Sequence, residues 1–119
     1  MELTKRQIED IHTLLIYAKQ AIEYWYDDCD SDDELKQENN MYKLICSRYI
    51  EMLNSHQEDT YTIIGNNYAE LKELLAYSQE AIDYWFSGCD AEQSLIDENE
   101  LYKERCKVYL NLFLQNQTA

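Results

Sequence analysis

The chain repeats itself. Laid over itself at an offset of 60, the stretch from Leu14 to Tyr49 aligns without a gap on Leu74 to Tyr109, and sixteen positions are identical. Chance gives far fewer. Ala-Ile-x-Tyr-Trp stands at Ala21 to Trp25 and again at Ala81 to Trp85; Cys29, Asp30, Glu38, Asn39, Tyr42 and Cys46 recur as Cys89, Asp90, Glu98, Asn99, Tyr102 and Cys106. Whatever unit one copy forms, the other forms too, and the two must cover each other's apolar faces. At 119 residues there is room for a single small domain. The expectation is therefore one domain, 1–119, holding internal repeats 1–59 and 61–119.

The unit is helical by periodicity. Ile8, Ile11, Leu15, Ala18, Ile22, Trp25 and Cys29 follow one another by alternating steps of three and four, as do Tyr68, Leu71, Leu75, Ser78, Ile82, Trp85 and Cys89. The second half of each copy does the same through Leu35, Asn39, Tyr42, Cys46, Tyr49 and Leu53, and through Leu95, Asn99, Tyr102, Cys106, Tyr109 and Phe113. There is no proline, and only Gly65 and Gly88 interrupt the pattern. Asp30 and Asp90, the latter with Gln93, suit helix N-caps, as do Thr4 with Gln7 and Asn67 with Glu70. The polar join from Asn54 to Asn66 reads as a connector. Each copy is then a hairpin of two helices of about 24 residues, or about 36 Å each. Because a lone hairpin leaves its apolar face wet, the two copies pair. The fold expected is an all-α, antiparallel four-helix bundle of two tandem-duplicated hairpins, running up-down-up-down. A homodimer of such chains is the alternative.

Charge is distributed unevenly. The net charge is -14, from 24 acids and 10 bases. Between Glu23 and Glu38 lie eight acids and one base, and between Glu80 and Glu100 seven acids and no base. Those windows hold the whole excess. Both surround hairpin turns, which an up-down-up-down bundle puts at one end, so the expectation is an acidic pole. Like charges gathered at one pole oppose folding, which suggests a basic partner or a cation, with a solvated tip stabilised by the helix dipoles as the equal alternative. Direct binding of nucleic acid or of an anionic membrane is disfavoured, since both depend on Lys and Arg meeting phosphate. The sequence has neither a signal-peptide-like apolar region nor a membrane span, and a cytoplasmic protein is expected.

The chemistry-bearing residues do not assemble into a known site. Asp28, Asp30 and Asp32 alternate like the start of a calcium loop, but the sixth position is not glycine and the twelfth is Asn39. His12 and His56 do not sit in the Glu-x-x-His pairs of a diiron bundle. No cysteine pair has zinc spacing; buried free thiols are the expectation, with Cys29–Cys89 or Cys46–Cys106 as the pairs that approach across copies. Asn39 and Asn99 read as buried amides that fix helix register, and Glu38 and Glu98 as partners for a tyrosine or indole. With no matched nucleophile and base and no phosphate loop, no enzyme, metal or cofactor is expected.

The aromatic triplets Tyr24-Trp25-Tyr26 and Tyr84-Trp85-Phe86 point three ways around a helix. Trp25 and Trp85 are expected in the core, flanked by Tyr24 and Tyr84, with Tyr26 and Phe86 outside. The candidate partner-binding residues are Asp27, Asp28, Asp30, Asp32, Asp33, Glu34, Asp83, Asp90 and Glu92, with Tyr26 and Phe86. The function expected is that of a small acidic binding protein docking on a basic protein surface. If that surface grips nucleic acid, the protein acts as a nucleic-acid mimic, an inhibitor of a host defence nuclease of the anti-restriction or anti-CRISPR type, encoded by a phage or mobile element. The alternatives are a self-associating adaptor bundle and, less favoured, a cation-binding protein.

Overall fold

The computed structural model describes residues 1–25, 33–85 and 92–116. Its elements in order are strand β1 (Glu2–Thr4), helix α1 (Lys5–Trp25), helix α2 (Asp33–Ser55), strand β2 (Thr60–Thr62), helix α3 (Gly65–Trp85) and helix α4 (Gln93–Asn116). It is the all-α four-helix fold read from the periodicity. The hairpins are antiparallel: Asn39 and Cys46 of α2 meet Ile22 and Leu15 of α1, and Asn99 and Cys106 of α4 meet Ile82 and Leu75 of α3.

The helices are not equivalent. α1 and α3 form the central pair; α2 packs chiefly on α1, α4 chiefly on α3, and α2 and α4 do not meet among the described residues. The burial pattern follows from this placement. α1 must face two neighbours, so it buries a broad face: Ile8, Ile11, Leu14, Leu15, Tyr17, Ala18, Ala21 and Ile22. α2 lies mainly on α1, touching α3 only lightly, and buries only Asn39, Cys46, Tyr49 and Leu53, a heptad seam. The buried side chains of both copies join in one apolar cluster. Leu35 and Leu95, expected to start the outer seams, are instead 42% and 44% exposed. They lie in the first turn of each outer helix, beyond the level at which Asn39 and Asn99 close the seam.

The base of the bundle holds a feature absent from the periodic reading. β1 and β2 pair antiparallel, Leu3 opposite Tyr61, and bury Leu3 and Ile63 completely or nearly so. The N–H of Ile63 also donates to the Met1 carbonyl at 2.8 Å. This two-stranded strap precedes α1 and α3 and ties their N-termini together. The Thr4–Gln7 capping box forms as expected, Thr4 N–H donating to Gln7 Oε1 at 2.9 Å and Gln7 N–H to Thr4 Oγ1 at 3.2 Å. The other caps shift. α3 starts at Gly65, whose φ of 61° suits a residue without a Cβ; Asn67 and Glu70 instead accept from the Tyr49 hydroxyl. Gln93 is the first residue of α4 and donates to Asp97, while Asp30 and Asp90 lie outside the described residues.

Candidate functional site

The C-terminal ends of α1 and α3 meet. Tyr24 lies 6.2 Å from Trp85 and Trp25 6.1 Å from Tyr84, ring centre to ring centre. Each contact is the counterpart of the other under the duplication, so the two copies are related by a local two-fold axis along the bundle. The pairing continues inward. Trp85 packs on Tyr17 at 5.2 Å and Tyr17 stacks on Tyr102 at 4.2 Å; Trp25 packs on Tyr77 at 5.1 Å and Tyr77 stacks on Tyr42 at 4.1 Å. Two ladders of four rings thus run from the tip into the bundle, each drawing on both copies.

Buried amides hold these ladders. The Tyr17 hydroxyl donates to Asn99 Oδ1 at 2.7 Å and the Tyr77 hydroxyl to Asn39 Oδ1 at 2.6 Å, while each amide donates its own N–H to the Ile82 or Ile22 carbonyl. Burial and the nearby Glu98 push the Tyr17 phenol up to about 12, so it stays protonated as a donor. Asn39 and Asn99 therefore fix register as expected, and they, rather than the exposed Glu38 and Glu98, are the tyrosine partners. Tyr17 and Tyr77 are the residues the heptad reading missed. They fall one step beside the seam, and the signal was their repetition at the same offset.

The two tryptophans are half-buried rather than core, because each sits at the last residue of its helix. Tyr24 and Tyr84 are 50% and 52% exposed. Around this aromatic tip stand the described acids. Asp33 and Glu34 open α2, where the helix dipole favours a carboxylate. Glu92 lies just before α4, its carbonyl accepting from the Leu95 and Ile96 N–H groups. All three are exposed.

Asp83 differs from its expected role. It pairs with Lys103 at 3.0 Å, and Lys103 also reaches Glu100 at 3.3 Å. The Asp83 hydrogen bond is the main cause that raises the Lys103 ammonium above its ordinary value. The other expected contact residues, Tyr26, Asp27, Asp28, Asp30, Asp32, Phe86 and Asp90, lie outside the described residues, as do Cys29 and Cys89.

Elsewhere the chemistry is sparse. Cys46 and Cys106 are buried, free, and donate to Leu15 and Leu75 carbonyls at 3.3 and 3.0 Å. Burial pushes both thiols up to about 12. They stand on helices that do not meet, so their approach across copies is not realised. Among the described residues no cluster of three or more His, Cys, Asp or Glu is placed to hold a metal, and no helix is long and apolar enough to cross a membrane. A cleft of about 320 Å³ at the base is lined by both histidines, with Lys5, Glu9 and Glu58; His56 Nε2 is held at 2.6 Å by the Thr60 carbonyl. Comparison of the chain with protein-family models, curated proteins and solved structures finds no match.

Proposed function

We propose that the protein is a small acidic binding module whose tip docks on a basic surface of another protein. The observation that supports this most is the meeting of α1 and α3 through Tyr24–Trp85 and Trp25–Tyr84. Each of the two acidic windows, net -7 apiece, spans one of these helix ends and the start of the helix after it. Exposed aromatic rings beside strong charge of one sign make a surface with both contact area and complementarity. A nucleic-acid-binding groove fits such a surface, its cations meeting carboxylates in place of phosphates. On that reading the protein is a competitive inhibitor of a nuclease of the anti-restriction or anti-CRISPR type, acting in the cytoplasm.

The test is a comparison of two proteins in an affinity capture of basic partners. The neutralised form replaces Asp30, Asp32, Asp33 and Asp90 by Asn and Glu92 by Gln. It should fold at least as stably as the wild type and lose the partner. Undiminished capture would remove the tip as the binding site. A second reading, self-association, draws on the outer helices: Leu44, Val108, Leu101 and Met41 are 73%, 62%, 51% and 48% exposed on α2 and α4. Molar mass in solution separates the two, since an adaptor of this kind is an oligomer.

A further inference from the structure

The duplication gives the tip two half-sites, and they have diverged. Tyr24 against Trp85, beside Glu23, is one; Tyr84 against Trp25, beside Asp83, is its counterpart. In the second, Asp83 is neutralised within the molecule by Lys103, which is itself anchored by Glu100. In the first, Lys43 stands where Lys103 would be, but the position of Glu100 is taken by Asn40. The second anchor is missing, and among the described residues no cation pairs with Glu23. Glu23 is exposed in the last turn of α1, where the negative end of the helix dipole disfavours a carboxylate. A cation brought from outside relieves that cost at Glu23, whereas Lys103 already relieves it at Asp83.

We infer that the Glu23–Tyr24–Trp85 half-site is the anchor point for an arginine side chain of the basic partner. This rests on the docking role proposed above and names the chemistry it uses. Guanidinium suits the half-site better than ammonium: it is planar, weakly hydrated, and stacks on an aromatic face while bonding a carboxylate at its edge. Two rings of this protein already lie beneath a guanidinium. Arg105 lies 5.5 Å from the centre of Tyr102, and Arg48 5.3 Å from Tyr49. The half-exposed Tyr24 ring offers such a face next to an unpaired carboxylate. Tyr84 offers the ring without the free charge.

The experiment titrates full-length protein by calorimetry, at physiological salt, with nona-arginine and with nona-lysine, peptides of equal charge. The arginine peptide should bind several-fold more tightly, the difference a desolvated cation–π contact makes. Glu23→Gln and Tyr24→Leu should each weaken nona-arginine about fivefold and leave nona-lysine nearly unchanged. Asp83→Asn alters the net charge as much as Glu23→Gln does, yet should change nona-arginine affinity less than twofold. Equal affinities for the two peptides, or equal losses in Glu23→Gln and Asp83→Asn, overturn the arginine anchor while leaving a charge-driven tip intact. Failure of both peptides to bind wild type overturns the docking role itself. Circular dichroism of each variant confirms that the helices are retained, since all three substituted side chains are exposed.

Discussion

A single hydroxyl shows how closely the two copies are held to one plan. Ser78 is completely buried on α3, and its Oγ has no hydrogen-bond partner; the equivalent position on α1 is Ala18. An unpaired buried hydroxyl costs about 1–3 kcal/mol, so Ser78→Ala should leave stability unchanged or raise it by about 1 kcal/mol in urea denaturation. Tyr17→Phe and Tyr77→Phe work the other way, for each strips Asn99 or Asn39 of its donor inside the core. Each should cost about 1–3 kcal/mol, and the two should match because their surroundings match. Alkaline pH addresses the buried acids. Cys46 and Cys106 ionise near 9.0 in the unfolded chain and near about 12 when folded. Their contribution is thus complete below pH 9 and lost as pH rises from 9 toward 12, by up to about 1.4 kcal/mol per pH unit for each thiol. Denaturation midpoints should fall across that window, and replacing both thiols by Ala should flatten the fall. None of these effects depends on knowing a partner.

At the scale of elements, the helices were legible because their apolar steps of three and four persist over five or more turns. The hairpin pairing followed from the duplication. What the period concealed was the width of the central faces: Leu14, Tyr17 and Ala21 lie beside the seam and are buried because α1 serves two neighbours. Trp25 and Trp85 were misread for a related reason, since a position in phase with the seam is still a helix end. Their truncation to Ala should cost about 1–3 kcal/mol, less than the 3–5 typical of a fully buried aromatic. The strap was illegible because three-residue strands paired across the length of a whole copy carry no periodic signal. Thr60, Tyr61, Thr62 and Ile63, β-branched or aromatic throughout, were its only local sign. Leu3→Ala, at 0% exposure, should destabilise by about 2–5 kcal/mol and loosen the N-terminal ends of α1 and α3 in hydrogen exchange. Of the site, the charge windows and aromatic pairs were readable residue by residue. The Lys103 neutralisation of Asp83 was not, because it depends on which helix face a lysine shares with a carboxylate twenty residues away.

For the whole molecule, the proposed docking role needs two acidic windows far apart in sequence to act as one pole. The strap joins the N-termini of α1 and α3, and the aromatic contacts join their C-termini, so the helix ends from which the two windows continue lie side by side. Charges so gathered repel one another, and the repulsion is screened over about 8 Å at physiological salt. It is also what a basic partner would relieve, which makes the same carboxylates costly in the free protein and favourable in a complex. The most direct measurement is unfolding free energy against sodium chloride concentration, for the wild type and for the form with Asp30, Asp32, Asp33, Asp90 and Glu92 converted to their amides. The wild type should gain stability with salt, while the neutralised form should start more stable at low salt and respond little. A wild type indifferent to salt, or two parallel salt dependences, would contradict a shared acidic pole.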